Sequence, residues 1–388
     1  MMYYIRKLKK LDKPMLLVLL GLMIFGTIAV HEATSGTNLD GLYKYSIIFF
    51  ALFLIPMLLI ALLDYSIFTG AVSYILYGIG LALLLLVMFT GENINGAVRW
   101  IRIGSFQLQP SELVKIATVL VTCNLLQKRS GHKLRFIQDL LPIGAVFFIP
   151  AFIVMKQPDL GTALVFVAVL PVMLWMGNIR VWHMLLLLAS MALPIGGVCW
   201  LYFANYDILA ELLKPHQLSR IETFLEPGLD PDKSWHVNNA MNAIGSGQMS
   251  GNSGFYVERG YIPYAYSDSI YVVIGEKFGF IGSSILLLLF YLLIFRMLYI
   301  ARESRDLAGS YLVVGLTGML LFQIFVNIGM HIGLMPLTGI SLPFISYGGS
   351  SLLANMLCIG LVLSVHIHKD ELKEDIGIVP DTDGGQKM

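Results

Sequence analysis

Apolar runs of close to twenty residues, separated by short polar stretches, dominate the chain. They lie at 14–31, 45–63, 70–90, 111–127, 136–155, 160–177, 183–203, 269–295, 308–330 and 346–366. A helix of about 20 residues spans a bilayer's hydrocarbon core, and only a helix or a closed barrel satisfies its own backbone there. The pattern predicts an all-α polytopic membrane protein with ten transmembrane helices, built as one membrane domain over 1–388. The fifth and sixth runs are separated only by Lys156-Gln157-Pro158-Asp159, where a proline and two charges favour a tight turn between two helices. The first run lacks a small-residue cleavage site and is followed by nine more, so it reads as a retained helix.

Between the seventh and eighth runs lies the longest polar segment, 204–268. Leu218, Ile221, Phe224 and Leu225 recur there at helical spacing, as do Trp235, Met241 and Ile244. Both stretches read as short amphipathic helices, bounded by Pro215, Pro227 and Pro231.

Composition agrees with the pattern. Of 388 residues, 57% are hydrophobic and 13% charged, against about 25% charged in ordinary soluble domains. That excludes both a soluble fold of this size and a disordered chain. A net charge of +1 offers no basic field for nucleic acid. The three cysteines, Cys123, Cys199 and Cys358, all fall in apolar runs, which argues against a disulfide framework or a cysteine metal site. With the N-terminus inside, sixteen Lys and Arg fall in cytoplasmic segments and eight in outer ones. That bias predicts cytoplasmic termini, a large extracytoplasmic loop at 204–268 and a short cytoplasmic tail at 367–388.

Charges inside or beside spanning helices are costly and mark functional candidates. Glu112 and Lys115 open the fourth helix three residues apart, so they share a face and can pair; a structural ion pair and a substrate contact are equally open. Upstream, Arg99 beside Trp100, and Arg102, could grip a phosphate or anchor the loop. Asp159 precedes a helix and caps it, or else joins Lys156 in a polar cavity. Asp268 enters the eighth helix, and Glu276 sits eight residues on, roughly 12 Å deeper on the same face if the helix is regular. The two could line a path, although an N-cap role for Asp268 fits the spacing as well. Pro336–Ser351 crowds proline, glycine and serine at the mouth of the last helix, where backbone N–H groups near Gly348 and Gly349 could meet an anion, although small residues for close helix packing explain them as well. His366 and His368 lack further ligands nearby and do not read as a metal site.

These motifs together resemble the SEDS family (shape, elongation, division and sporulation). The resemblance runs through Gly96-Ala97-Val98-Arg99-Trp100-Ile101, Gln109-Pro110-Ser111-Glu112-Leu113-Val114-Lys115 and Gln157-Pro158-Asp159-Leu160-Gly161-Thr162. It continues through Ala243-Ile244-Gly245-Ser246-Gly247 and closes at Leu342-Pro343-Phe344-Ile345-Ser346-Tyr347-Gly348-Gly349-Ser350-Ser351. It implies a peptidoglycan glycosyltransferase in the bacterial cytoplasmic membrane, its active site facing outward. Such an enzyme polymerises lipid II by β-1,4 bonds, releases undecaprenyl diphosphate, and partners a class B penicillin-binding protein. The family's catalytic aspartate falls on Asp268, its fourth-helix charges on Glu112 and Lys115, and the aspartate after Gln-Pro on Asp159. Two stretches depart from the family. Around the aspartate, Pro263-Tyr264-Ala265-Tyr266-Ser267-Asp268-Ser269 stands where Pro-Glu-Ala-His-Thr-Asp-Phe is usual, and Gly247–Gly254 is altered.

The chemistry asks for a base on the acceptor 4-hydroxyl and cations for the leaving diphosphate, and Arg99, Arg102, Lys115 and Arg220 are candidates for the latter. A divalent cation could assist, with no defined ligand set. The sequence leaves two other functions open: a lipid II flippase using Glu112, Lys115, Glu276 and Lys277 as a charged path, and a scaffold for a transpeptidase.

Overall fold

A computed structural model describes residues 7–94, 97–104, 106–213, 215–226 and 231–370. The expected tail therefore lies outside the described residues beyond 370. In chain order the elements are α1 (Lys13–Thr34), α2 (Leu42–Leu62), α3 (Tyr65–Thr69), α4 (Ala71–Thr90), β1 (Glu92–Ile94), β2 (Ala97–Ile103), β3 (Phe106–Leu108) and α5 (Pro110–Gln127). After a π-helical turn at Phe136–Leu140 come α6 (Leu141–Lys156), α7 (Leu160–Met176), α8 (Val181–Ala204), α9 (Tyr206–Leu212), α10 (Pro215–Leu225), α11 (Pro231–Ser246) and α12 (Phe255–Glu258). The chain closes with α13 (Ile270–Arg302), α14 (Leu307–His331) and α15 (Gly349–Ile367).

Eight helices among the described residues are long and apolar enough to cross a membrane: α1, α2, α4, Phe136–Lys156, α8, α13, α14 and α15. The chain is an integral membrane protein. The other two apolar runs also form helices. α7 is shorter at 17 residues, and α5 dilutes its apolar face with Glu112, Lys115, Thr118, Thr122 and Asn124. α14 and α15 form the centre, with 67% and 78% of their apolar windows buried, whereas α8 stands at the periphery with 6% buried.

One feature of the architecture escapes the hydrophobic pattern. The stretch before α5 is an antiparallel three-stranded sheet in the order β1-β2-β3, with Trp100 opposite Glu92 and Ile101 opposite Leu108. The expectation of an all-helical chain is corrected to that extent. In β2, apolar and charged residues occupy both faces (Val98, Trp100 and Arg102 alternate with Arg99 and Ile101), so no clean period of two marks the strand.

The two amphipathic stretches of the long polar segment are helical, as α10 and α11. Leu218 of α10 is buried against Tyr202 and Leu209, with Ile221 and Leu225 alongside. α13 is longer than its apolar run and broken. Gly279 has φ 60° and ψ −154°, a backbone conformation open chiefly to glycine. The glycine-rich segment after α11 docks into that break. Phe280 N–H donates to the Gln248 carbonyl at 2.8 Å, Ile281 N–H to that of Met249 at 3.0 Å, and Asn252 N–H to that of Glu276 at 2.9 Å. Backbone groups freed by the break are thus satisfied from outside the helix, as burial in a membrane protein requires.

At the end of the bundle where α1 begins, charged side chains tie helices together. Asp12 caps α1 through Met15 N–H and is paired with Arg296 of α13, with His366 Nε2 3.7 Å away. Arg305 pairs with Asp64 at 2.9 Å, and Tyr65 donates to Asp306 at 2.9 Å.

Candidate active site

At the opposite end, the starts of α5, α7, α13 and α15 converge with the sheet and the C-terminal end of α14. Gln109 is the junction. Its backbone N–H donates to Ser350 Oγ of α15 at 2.9 Å, and its side-chain amide donates to Asp159 at 3.0 Å. Asp159 caps α7 through Thr162 N–H at 3.1 Å, accepts from the Thr162 hydroxyl at 3.0 Å, and pairs with Arg99 of β2 at 3.1 Å. Capping is therefore real, and the polar cavity with Lys156 is not formed. Lys156 instead lies over the Phe152 ring, 5.3 Å from its centroid. Arg99 keeps a buried Nε with no hydrogen-bond partner among the described residues.

Asp268 sits in the turn just before α13. The segment Pro336–Ser351 is folded onto this turn. Ser346 Oγ donates to the Ser267 carbonyl at 2.6 Å, and Tyr347 N–H donates to that of Tyr266 at 2.9 Å. A Cβ on Gly339 would lie 3.6 Å from Asp268 Oδ2. Next to it, the Thr338 carbonyl lies where a Cβ on Gly161 would come within 2.8 Å, so Gly161 allows α7 to meet this segment closely. Asp268 and Asp159 thus border one region, linked through Thr338–Gly339 on one side and Arg99 on the other. Burial pushes the pKa of Asp268 up to about 6, while N–H groups of Asp268 and Ser269 and the charge of Arg99 pull it back.

The backbone of Asp268 is held from α14. Asn327 donates to the carbonyls of Asp268 and Ile340, both at 2.7 Å, and His331 Nε2 lies 2.9 Å from the Asp268 carbonyl oxygen. Both side chains are buried. They were not among the residues singled out from sequence. Their signal was available, because Gln323, Asn327 and His331 recur every four residues and mark a polar stripe along an apolar helix.

Other candidates have different places. Glu112 and Lys115 pair at 2.9 Å, both buried, and Glu112 Oε2 has no partner among the described residues. Glu276 does not share a helical face with Asp268, because Asp268 precedes the start of α13. Fully buried, it accepts the N–H groups of Tyr256 at 2.8 Å and Val257 at 3.1 Å, capping α12. Its neighbour Lys277 donates to the Ser253 carbonyl at 2.6 Å and to Glu258 at 2.8 Å. These two charges dock the loop rather than line a path. Arg102 Nε donates to the Gly104 carbonyl at 3.3 Å on an exposed turn. The side chain of Arg220 lies outside the described residues. Among the described residues no three His, Cys, Asp or Glu side chains converge. Asp159 is already committed to Arg99, Gln109 and Thr162.

The model of the FtsW, RodA and SpoVE family, described as cell cycle protein, matches residues 12–371. The chain belongs to this family. Stage V sporulation protein E of Bacillus subtilis (strain 168) is 32% identical over 372 residues, covering 92% of this chain and 98% of that protein. Peptidoglycan glycosyltransferase MrdB of Escherichia coli (strain K12) is also 32% identical, over 378 residues, covering 94% and 96%. Among solved structures, a peptidoglycan synthase complex that coordinates polymerization and crosslinking matches with a TM-score of 0.78 at 30% identity, covering 92% of this chain and 98% of that one. The rod shape determining protein RodA of Thermus thermophilus matches at 0.67 and 27%, covering 92% and 97%. Asp159 and Asp268 lie together in a site built from the chain's most polar motifs.

Proposed function

We propose that the protein is a peptidoglycan glycosyltransferase that polymerises lipid II at the outer face of the bacterial cytoplasmic membrane, with Asp268 as general base. The observation that carries this reading is a carboxylate set among converging helix ends, with its pKa raised toward neutrality and its backbone fixed by Asn327 and His331. Near-neutral pKa is what a base needs at physiological pH, since it is ionised yet still holds a proton usefully.

In the step envisaged, the Asp268 carboxylate takes the proton of the acceptor 4-hydroxyl as its oxygen attacks the donor's anomeric carbon. The bond from that carbon to the diphosphate oxygen breaks with inversion, giving a β-1,4 linkage and releasing undecaprenyl diphosphate. Arg99, tied to Asp159 but with an unpartnered Nε, is the cation best suited to meet the developing phosphate charge. Asp159 then acts by orienting Arg99. Glu112 and Lys115, paired within the bundle, act by holding the α5 end of the site, and Arg102 and Arg220 are further candidates for the diphosphate. The ten helices cross the membrane with both termini cytoplasmic, and a class B penicillin-binding protein crosslinks the product, as befits a relative of a peptidoglycan synthase complex.

The flippase reading rested on Glu112, Lys115, Glu276 and Lys277 as a charged path; the first two pair with each other within the bundle, and the last two are occupied in docking the loop. The deciding experiment measures glycan strands made from lipid II by purified protein, with its partner added if needed. Wild type should polymerise, and Asp268→Asn should lower the rate about a hundredfold or more. Undiminished polymerisation by Asp268→Asn would remove Asp268 from the role of base, and absence of polymer from wild type would favour a scaffold.

A further inference from the structure

Beside Asp268 the chain carries a row of tyrosines to which the reaction above gives no task. Tyr264 is 49% exposed with φ at 52°, a conformation that non-glycine residues rarely adopt. Its carbonyl accepts Ser267 N–H at 2.8 Å, so a tight turn fixes the backbone from which the ring projects. Tyr266, two residues on, is half-buried. Its ring meets that of Tyr347 edge-on, with centroids 6.2 Å apart and planes at 69°. The Tyr347 ring in turn lies 6.2 Å from Phe49 of α2, and Phe49 is one turn beyond the 56% exposed Tyr45 on the same helix. The phenols sense one another. Burial first, then Tyr264 and Asp268, raise the pKa of Tyr266, while burial, then Tyr45 and Tyr266, raise that of Tyr347.

We propose that Tyr264, Tyr266 and Tyr347 form a saccharide platform holding the sugar whose hydroxyl Asp268 deprotonates, with Tyr45 extending it toward α2. A pyranose offers a flat face of C–H groups and a rim of hydroxyls. A tyrosine matches both, with an apolar ring face and a phenol that donates and accepts. Tyrosines also gather singly in the headgroup belt of membrane proteins. Here Tyr266 and Tyr347 pack against each other beside a carboxylate, and Tyr264 holds a strained backbone that anchoring in lipid does not require.

The proposal rests on the polymerase reading, and its test separates the two. Full-length purified protein is assayed for KM and kcat with lipid II, and for inhibition by the free N-acetylated disaccharide, which lacks diphosphate and lipid. Tyr266→Leu should raise KM, and the inhibition constant of the disaccharide, about tenfold, with kcat within about twofold of wild type. Tyr266→Phe, which keeps the ring, should recover most of the loss, and Tyr291→Leu on the exposed side of α13 should change neither constant. If Tyr266→Leu does not fold, Tyr264→Ser at the exposed position carries the same expectation. Unchanged constants in a polymerising enzyme would overturn the platform, as would a wild type that the disaccharide fails to inhibit. A wild type that makes no polymer would sink the polymerase reading. Direct binding of the disaccharide to wild type, compared with Tyr266→Leu, would then still decide the platform.

Discussion

Asp268 combines two properties that pull against each other. Burial raises its pKa to about 6, yet a base must be ionised. As pH falls through about 6 the carboxylate takes up its proton, so the polymerisation rate should drop roughly tenfold per unit below that point; a rate flat down to pH 5 would show that Asp268 is not the group that titrates. The same shift has the opposite sign for stability. The folded state keeps a proton that the unfolded chain, with an ordinary carboxyl pKa of 3.8, has lost, so stability declines as pH rises from about 4 to about 6. Asp268→Asn removes that penalty and should melt no lower than wild type at pH 7.5, which separates lost chemistry from lost fold. Asn327 permits a companion test. Its amide donates to the Asp268 and Ile340 carbonyls; Asn327→Leu leaves the buried Ile340 carbonyl without that donor, at roughly 1–3 kcal/mol, and leaves the Asp268 carbonyl to His331 alone. The expected result is a lower kcat with KM for lipid II nearly unchanged, because the base is displaced while the binding surface remains. At this scale charges were legible in sequence because charge is rare in the chain, and Asp268, Asp159 and Arg99 stood out against apolar surroundings. Asn327 and His331 were not, since neutral polar residues inside an apolar run look like ordinary helix content until their four-residue spacing is noticed.

Among the elements, every apolar run in the sequence became a helix, because runs of about twenty residues have no other way to satisfy their backbones in lipid. What the pattern could not show was interruption. The break at Gly279 lies within an apolar stretch, and hydropathy does not register a change in φ. The altered glycine-rich segment explains itself only once docked, where a Cβ on Gly251 would fall 2.0 Å from the Lys277 carbonyl oxygen and one on Gly279 2.5 Å from Gly251 N. Helix and loop therefore specify each other. Gly279→Ala should cost roughly 1–3 kcal/mol through strain at positive φ alone, and more through that close approach. Its readouts are a lower melting temperature in detergent and faster proteolysis of the 247–254 segment. An alanine variant as stable and as protected as wild type would mean that the loop docks independently of the break. The β-sheet was missed for a different reason, namely that its strands are three to seven residues long and mix charged with apolar positions on both faces.

Across the whole molecule, the two ends of the bundle carry different chemistry. One end is laced by ion pairs between helices, Asp12 with Arg296 and Asp64 with Arg305, which fixes the relative placement of α1, α13 and the α2–α3 and α13–α14 connections. The other end concentrates strained or broken backbone, short helices and half-buried polar groups around Asp268. Basic residues are biased two to one toward the first end, and that bias orients a membrane protein with its richer end in the cytoplasm. Lipid II can meet Asp268 only if the second end faces outward, so function and charge asymmetry make the same demand on topology. A variant with Cys123, Cys199 and Cys358 replaced, carrying one new cysteine at exposed Tyr264 or exposed Arg302, tests it. In intact cells a membrane-impermeant maleimide should label Tyr264→Cys and spare Arg302→Cys until the membrane is opened. The reverse labelling would put Asp268 in the cytoplasm, where a base for extracytoplasmic polymerisation has no substrate, and the proposed function would fall with it.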